Sequence, residues 1–155
     1  MMPFHGRFVG AASLPMANWK RKPSERPGHF WRTSMTSERV RVVTVDINTW
    51  KSLCLVRLRE PPESGRGVTW YGDKPYQHEM LCDQLSAEFG VVVSGRGRRV
   101  TEWKNRPGRD NHLWDCLIGC AVGASVVGME IPGQAKPKQV KRMTAADIAK
   151  LRGAV

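Results

Sequence analysis

The stretch that decides the fold is residues 109–129, which read RDNHLWDCLIGCAVGASVVGM. It begins with a polar turn in which Asp110 or Asn111 can serve as a helix N-cap, and no proline interrupts it. Apolar side chains recur at helical spacing over residues 113–127, so the stretch predicts a helix over roughly residues 111–129. Because the other faces are nearly as apolar, we expect burial on most sides, with the glycines allowing close packing on a sheet.

Asp115 is the single acid inside the apolar part of the predicted helix, about one turn from its start. A carboxylate in such surroundings is costly to desolvate unless it is paired or binds a cation. The alternative is that Asp115 lies at the wet end of the helix and faces solvent or a neighbouring arginine. A membrane span is disfavoured, because the uninterrupted apolar run from Cys116 to Met129 has 14 residues, whereas about 20 are needed to cross a bilayer.

The composition is that of one basic domain with a polyanionic partner. The chain has 155 residues, a net charge of +11 and a pI near 10.1. This balance favours nucleic acid first and an anionic membrane second as the partner. The first ten residues contain no apolar core of the length that a signal peptide needs. The four cysteines form no CxxC pair, so reduced thiols and a cytoplasmic location are expected.

The two ends of the chain are expected to be irregular and basic. Residues 1–39 are rich in proline, glycine and arginine, which predicts an irregular arm. In that arm Trp19, Phe30 and Trp31 are interleaved with positive charge, a mixture that suits base stacking beside phosphate contacts. Packing of the same rings on the parent domain is an equal alternative. Residues 130–155 are expected to form a basic flexible tail.

Between these ends, residues 40–129 predict an α/β domain with a mixed sheet and flanking helices. The patterns indicate, in order, a strand at 40–46, a helix at 49–58, a strand at 68–71, a helix at 76–89 and hairpin strands at 91–93 and 98–103. The hairpin tip and the segment after it are rich in positive charge. The residues expected there to bind DNA phosphates are Arg96, Arg98, Arg99, Lys104, Arg106 and Arg109.

Two other groups of residues have metal-ligand chemistry. His112, Cys116 and Cys120 share one helical stripe, but no second ligand pair has suitable spacing, which disfavours zinc. Asp46 ends the first predicted strand of this domain and is a candidate surrogate ligand for a hard cation. Solvated charge is expected for the acids on predicted polar faces or loops, which are Asp73, Glu79, Asp83 and Glu88.

Six motifs follow one another within residues 4–129. They are His5–Ala11 (HGRFVGA), Val45–Lys51 (VDINTWK), Leu85–Glu88 (LSAE), Gly95–Arg98 (GRGR), Glu102–Lys104 (EWK) and Asp110–Cys116 (DNHLWDC). In their order and spacing they resemble the large terminase subunit of tailed phages, and more closely the C-terminal nuclease half of its lambda-type branch.

The resemblance implies a partial RNase H-like nuclease fold, joined in the family to a packaging ATPase. Such a domain cuts concatemeric viral DNA with Mg²⁺ or Mn²⁺ held by three acids. One of these acids lies on a C-terminal helix, four residues after an asparagine, and this role carries over to Asp115 as catalytic residue and metal ligand. The implied partners are double-stranded DNA, the small terminase subunit and the portal, in the cytoplasm of a host cell that carries the phage or prophage.

The chain departs from the family pattern on its upstream side. It contains no GxxxxGK[ST] motif and no segment corresponding to the two strand-borne acids. We therefore expect an incomplete piece that is inactive alone and is completed by an upstream polypeptide, because two-metal hydrolysis needs more than one carboxylate. The competing hypothesis, which composition alone favours, is a non-catalytic basic DNA-binding or virion-assembly protein.

Overall fold

A mixed four-stranded sheet forms one side of the molecule in the computed structural model, which describes residues 2–72 and 74–129. Its strands are β1 (Phe4–Arg7), β2 (Arg26–Pro27), β3 (Trp31–Met35) and β4 (Arg41–Asp46), in the order β1-β4-β3-β2. β1 pairs with β4 in parallel, and the other two pairings are antiparallel. The predicted α/β class with a mixed sheet is therefore confirmed.

Three α-helices and a separate two-stranded hairpin complete the described part of the chain. They are α1 (Ile47–Arg59), α2 (Glu79–Leu85), β5 (Glu88–Gly95), β6 (Arg98–Asn105) and α3 (His112–Val126). The predicted hairpin is confirmed, and its turn holds Arg96 and Gly97 at positive φ, the backbone conformation that a two-residue hairpin turn favours.

Two predictions between α1 and the hairpin are wrong. Residues 68–71 form no strand, because the backbone of Val68 bonds to the carbonyl of Arg57 at the end of α1 instead of to a neighbouring strand. The helix predicted over residues 76–89 is shorter, since a 3-10 turn (Pro75–His78) precedes α2 and β5 already begins at Glu88.

The irregular arm predicted at the N-terminus is also wrong, because this region supplies three of the four strands of the larger sheet. Arg32 on β3 explains why a proline-rich, basic segment is ordered here. Its buried guanidinium donates hydrogen bonds to several acceptors of this segment at once and so holds the segment on β3. Those acceptors are the carbonyl oxygens of Met16 (2.6 Å), Trp19 (3.0 Å) and Lys20 (3.2 Å) and the carboxylate of Glu25 (3.2 Å).

The hydrophobic core joins β3, β4, α1 and α3. It contains Trp31, Val43, Val45, Trp50, Cys54, Trp114, Ile118 and Val122. α3 contributes a single buried stripe, and its predicted burial on most sides is wrong, since Cys116, Cys120 and Val127 are exposed. The glycines of α3 do not serve close packing either: a Cβ at Gly119 or Gly123 would meet open space. The helix packs chiefly on α1 and α2, which cover only part of its apolar surface.

Two further expectations concern membranes and the tail. No helix within residues 2–72 and 74–129 combines the length and the apolarity that a bilayer crossing requires. The tail predicted over residues 130–155 lies outside the described residues.

Candidate active site

A ring of four side chains, called here the Lys51 ring, lies where α1, β5 and α3 meet. Lys51 Nζ is 2.8 Å from Asp115 Oδ1 and also binds Glu88 Oε1. Asn111 Nδ2 donates to the same Glu88 oxygen and, at 3.2 Å, to Asp115 Oδ2. Each side chain thus contacts two others, and the ring closes on itself.

Lys51 is positioned by the start of α1. Asp46, the last residue of β4, caps this helix: its Oδ1 accepts a hydrogen bond from the backbone amide of Thr49 at 3.2 Å. Lys51 lies one helical turn later in α1. Its side chain extends to Glu88, the first residue of β5. A hydrogen bond from the Trp103 amide to Asn48 Oδ1, at 3.0 Å, ties α1 to the hairpin that carries Glu88.

Asn111 and Asp115 are positioned by the start of α3. Asn111 was expected as a possible N-cap, but its side chain accepts no hydrogen bond from the helix. Gln84 of α2 takes that role, since its Oε1 accepts from the amide of Leu113 at 2.7 Å. Asn111 is therefore available to the ring, where it lies next to Asp115 in the first turn of α3.

The ring is buried on one side and open on the other. Only 7% of the Lys51 side chain and 4% of the Glu88 side chain are exposed, compared with 46% of the Asp115 side chain. A buried lysine and a buried glutamate are tolerated here because each neutralises the other. Asp115 lies at the wet end of its helix, as the alternative interpretation held, but its cationic neighbour is a lysine and not an arginine.

Asp46 is a separate acid with a structural role. Burial raises the pKa of the Asp46 carboxyl, while hydrogen bonds from Thr49 and the charge of Arg98 act in the opposite direction. Both carboxylate oxygens are engaged by Thr49, since Oδ2 also accepts from the Thr49 hydroxyl at 2.9 Å. The candidacy of Asp46 as a surrogate metal ligand thus gains no support from its hydrogen bonding.

The described residues do not fit a divalent cation. Within residues 2–72 and 74–129, no three or more His, Cys, Asp or Glu side chains are grouped so that they could hold a metal ion. In the Lys51 ring the carboxylates face an ammonium and an amide NH₂, whereas Mg²⁺ requires an octahedral shell of oxygen ligands.

The part of the chain that contains this site matches the model of a known protein family. The family model described as "Terminase large subunit gpA, endonuclease domain" matches residues 8–138, a span that includes all four members of the Lys51 ring. The chain belongs to this family. The resemblance identified from the sequence motifs is confirmed at this level. No curated protein and no solved structure matches the chain.

In this terminase nuclease domain, three of the six predicted DNA-binding residues are engaged within the protein. Arg98 donates to the carbonyl oxygens of Gly10, Ala11 and Ser13 at 2.8, 3.3 and 2.6 Å. Arg106 lies over the ring of Phe89 and donates to the Ser86 carbonyl, and Arg109 pairs with Asp83 at 3.2 Å. These contacts give all three arginines a structural role.

The other three predicted residues, Arg96, Arg99 and Lys104, are exposed. Their side chains make no hydrogen bond or ion pair with any residue that the structure describes. Arg96 lies at the hairpin turn, and Lys104 pairs across the hairpin with Phe89, the neighbour of Glu88. These exposed basic residues lie along the hairpin but not on one face of it: Arg99 shares the face of Glu88, whereas Lys104 lies on the opposite face beside Phe89.

Lys51, Glu88 and Asn111 had no site role in the sequence-based prediction. Glu88 was expected to be solvated on a helix, which is wrong, because it is buried at the start of β5. The sequence nevertheless contained a signal for these three residues, because each lies in a motif that carries the family resemblance. The motifs are Val45–Lys51, Leu85–Glu88 and Asp110–Cys116.

Proposed function

We propose that the chain is the distal part of a DNA endonuclease domain that cuts concatemeric viral DNA, with Asp115 as a catalytic carboxylate. The observation that carries this proposal is the Lys51 ring, which holds a half-exposed carboxylate against a buried ion pair. A structural ion pair alone does not require the second, solvent-accessible acid. The exposed Arg96 at the turn and Arg99 on the Glu88 face of the adjoining hairpin, together with Lys104 on its opposite face, would contact phosphates of the DNA backbone.

The wider features of this proposal follow the family. We propose a partial RNase H-like arrangement that extends over residues 4–129 and not only 40–129, because strands on both sides of residue 39 pair with each other. The substrate is double-stranded DNA. The cofactor of the complete active site is Mg²⁺ or Mn²⁺. The partners are the small terminase subunit and the portal. The compartment is the host-cell cytoplasm, where the four free cysteines stay reduced.

The experiment that tests the catalytic role exchanges residues 8–138 into the matching region of an active terminase large subunit. The chimera is assayed for cleavage of its DNA substrate with Mg²⁺ and with Mn²⁺. We expect the chimera to cut, and Asp115→Asn in it to lower the rate by about 100-fold or more, the scale on which loss of one preorganised charged group affects catalysis. The isolated 155-residue chain is expected to stay at background.

Asp110→Asn is the matched control, because its carboxylate is 78% exposed and lies outside the Lys51 ring. It removes the same charge five residues earlier and should leave cleavage unchanged. Equal activity of the Asp115→Asn and parent chimeras would contradict the proposal. So would robust metal-dependent cleavage by the isolated chain, since it would reveal ligands that the proposal does not include.

DNA binding by the exposed basic residues gives a second test. The slope of log affinity against log salt changes by about 0.9 for each phosphate that the protein no longer neutralises. Changing Arg96, Arg99 and Lys104 together to glutamine should therefore flatten the slope by roughly 2.7, as measured by fluorescence anisotropy on duplex DNA. The control variant removes the same charge from three exposed positions outside the hairpin, which are Arg41, Arg59 and Arg66. It should flatten the salt slope less. If the two triple variants flatten the salt slope equally, DNA binding depends on the overall charge of the protein and not on the hairpin.

The competing function is a non-catalytic DNA-binding or virion-assembly protein. One observation favours it: the Lys51 ammonium already neutralises the carboxylates at which chemistry would occur. The chimera separates the two functions. A chimera that is folded and binds DNA normally, but does not cut, would favour the non-catalytic alternative.

A further inference from the structure

We propose that in the isolated chain the Lys51 ammonium is the resident cation of the Glu88–Asp115 pair and occupies a position that a divalent ion would take in the complete active site. The inference rests on the proposed function, because it concerns the same site. Nuclease domains of this kind are expected to use a divalent metal, whereas the carboxylate pair of this chain binds a lysine.

The geometry of the ring supports this role. Lys51 Nζ touches one oxygen of each carboxylate, so it lies between two acids that come from different elements, β5 and α3. Asn111 also bridges the two acids, by donating to the same Glu88 oxygen and to the other oxygen of Asp115. Bridging of acids from separate elements is the usual role of a bound cation, and the ammonium performs it here with hydrogen-bond donors.

The charge balance points the same way. With Lys51 the two carboxylates and one ammonium sum to −1, and without it the same acids sum to −2. Glu88 is almost fully buried, so the uncompensated pair would be costly and would favour any small cation that could enter. Entry is open from the Asp115 side, where the carboxylate reaches solvent.

The test compares Mn²⁺ binding by the wild-type chain and by Lys51→Met, a variant that keeps an unbranched side chain, one atom shorter, and removes its charge. Isothermal titration is combined with thermal unfolding in EDTA and in Mn²⁺. Lys51→Met should bind Mn²⁺ at least about tenfold more tightly than wild type. Its melting temperature should fall in EDTA and recover in Mn²⁺, whereas that of the wild-type chain should not respond to the metal.

Two further variants make the result specific. Lys22→Met removes an exposed lysine outside the site and should bind Mn²⁺ as the wild type does. Adding Asp115→Asn to Lys51→Met should abolish the gain in affinity. If Lys51→Met does not fold in EDTA, recovery of its native circular dichroism on refolding in Mn²⁺ supports the proposal, and failure to recover overturns it.

Two results in the folded proteins would also overturn the proposal. One is Mn²⁺ binding by Lys51→Met that is no tighter than by Lys22→Met. The other is wild-type binding as tight as that of Lys51→Met, because the position would then be open despite the lysine. These readouts measure metal binding and folding and do not depend on DNA cleavage, so a failure here is distinguishable from a failure of the chimera.

Discussion

Arg32→Ala is expected to lower the free energy of unfolding by about 3–5 kcal/mol, the cost of breaking a buried, hydrogen-bonded ion pair. The guanidinium satisfies three carbonyl oxygens and the Glu25 carboxylate, all from the segment between β1 and β2. Without it that segment loses the interactions that hold it on β3. Urea unfolding measures the loss, and limited trypsin digestion should cut first in the exposed run Lys20–Lys22, whose backbone Arg32 no longer anchors.

Arg41→Ala is the matched control for this prediction. Arg41 is exposed at the start of the neighbouring strand β4, so its loss should change stability by no more than about 0.5 kcal/mol. Arg32→Lys should lie between the two, because an ammonium keeps the charge but cannot reproduce the planar fork of donors. Equal stability of Arg32→Ala and Arg41→Ala would mean that the N-terminal segment folds independently of this arginine.

Glu88→Gln is expected to cost about 3 kcal/mol, at the lower end of the range for breaking a buried charge pair, because Lys51 keeps Asp115 as a partner. The substitution keeps the shape of the side chain and leaves a buried ammonium with one half-exposed carboxylate. Urea unfolding at neutral pH measures the difference.

Asp115→Asn provides the comparison within the same ring. The Asp115 side chain is 46% exposed, so solvent screens its pairing with Lys51, and its loss should cost at most about 1 kcal/mol. A loss for Asp115→Asn as large as that for Glu88→Gln would contradict the division of the ring into a buried pair and an accessible acid.

Local patterns in the sequence were sufficient for the elements whose cause is local. Three predicted elements are present in the structure: the β-branched strand that ends at Asp46, the helix that follows it and the Asp115 helix. They could be predicted because periodicity and capping act over a few residues. The hairpin formed where Arg96 and Gly97 supply its turn. The family motifs also singled out Asp115 from the sequence alone.

What the sequence could not predict depends on partners that are distant along the chain. Arg32 orders a proline-rich segment by contacts that reach back as far as Met16, so the composition of that segment indicated an irregular arm. Glu88 was expected to be solvated because its buried partner, Lys51, lies 37 residues away on another element. α3 was apolar on several faces, yet only one stripe has enough neighbours to be covered. Tertiary contact decided each of these outcomes.

The measurement that tests the central claim most directly is a double-mutant cycle between Lys51 and Glu88. Urea unfolding of the wild type, Lys51→Met, Glu88→Gln and the double variant gives the coupling energy of the two side chains. If these residues form the buried half of one site, the double variant should lose about 2–3 kcal/mol less than the sum of the single losses, because removing both charges leaves neither one buried alone. Single losses that add to within about 0.5 kcal/mol would contradict the claim, since additivity on that scale is the behaviour of independent positions.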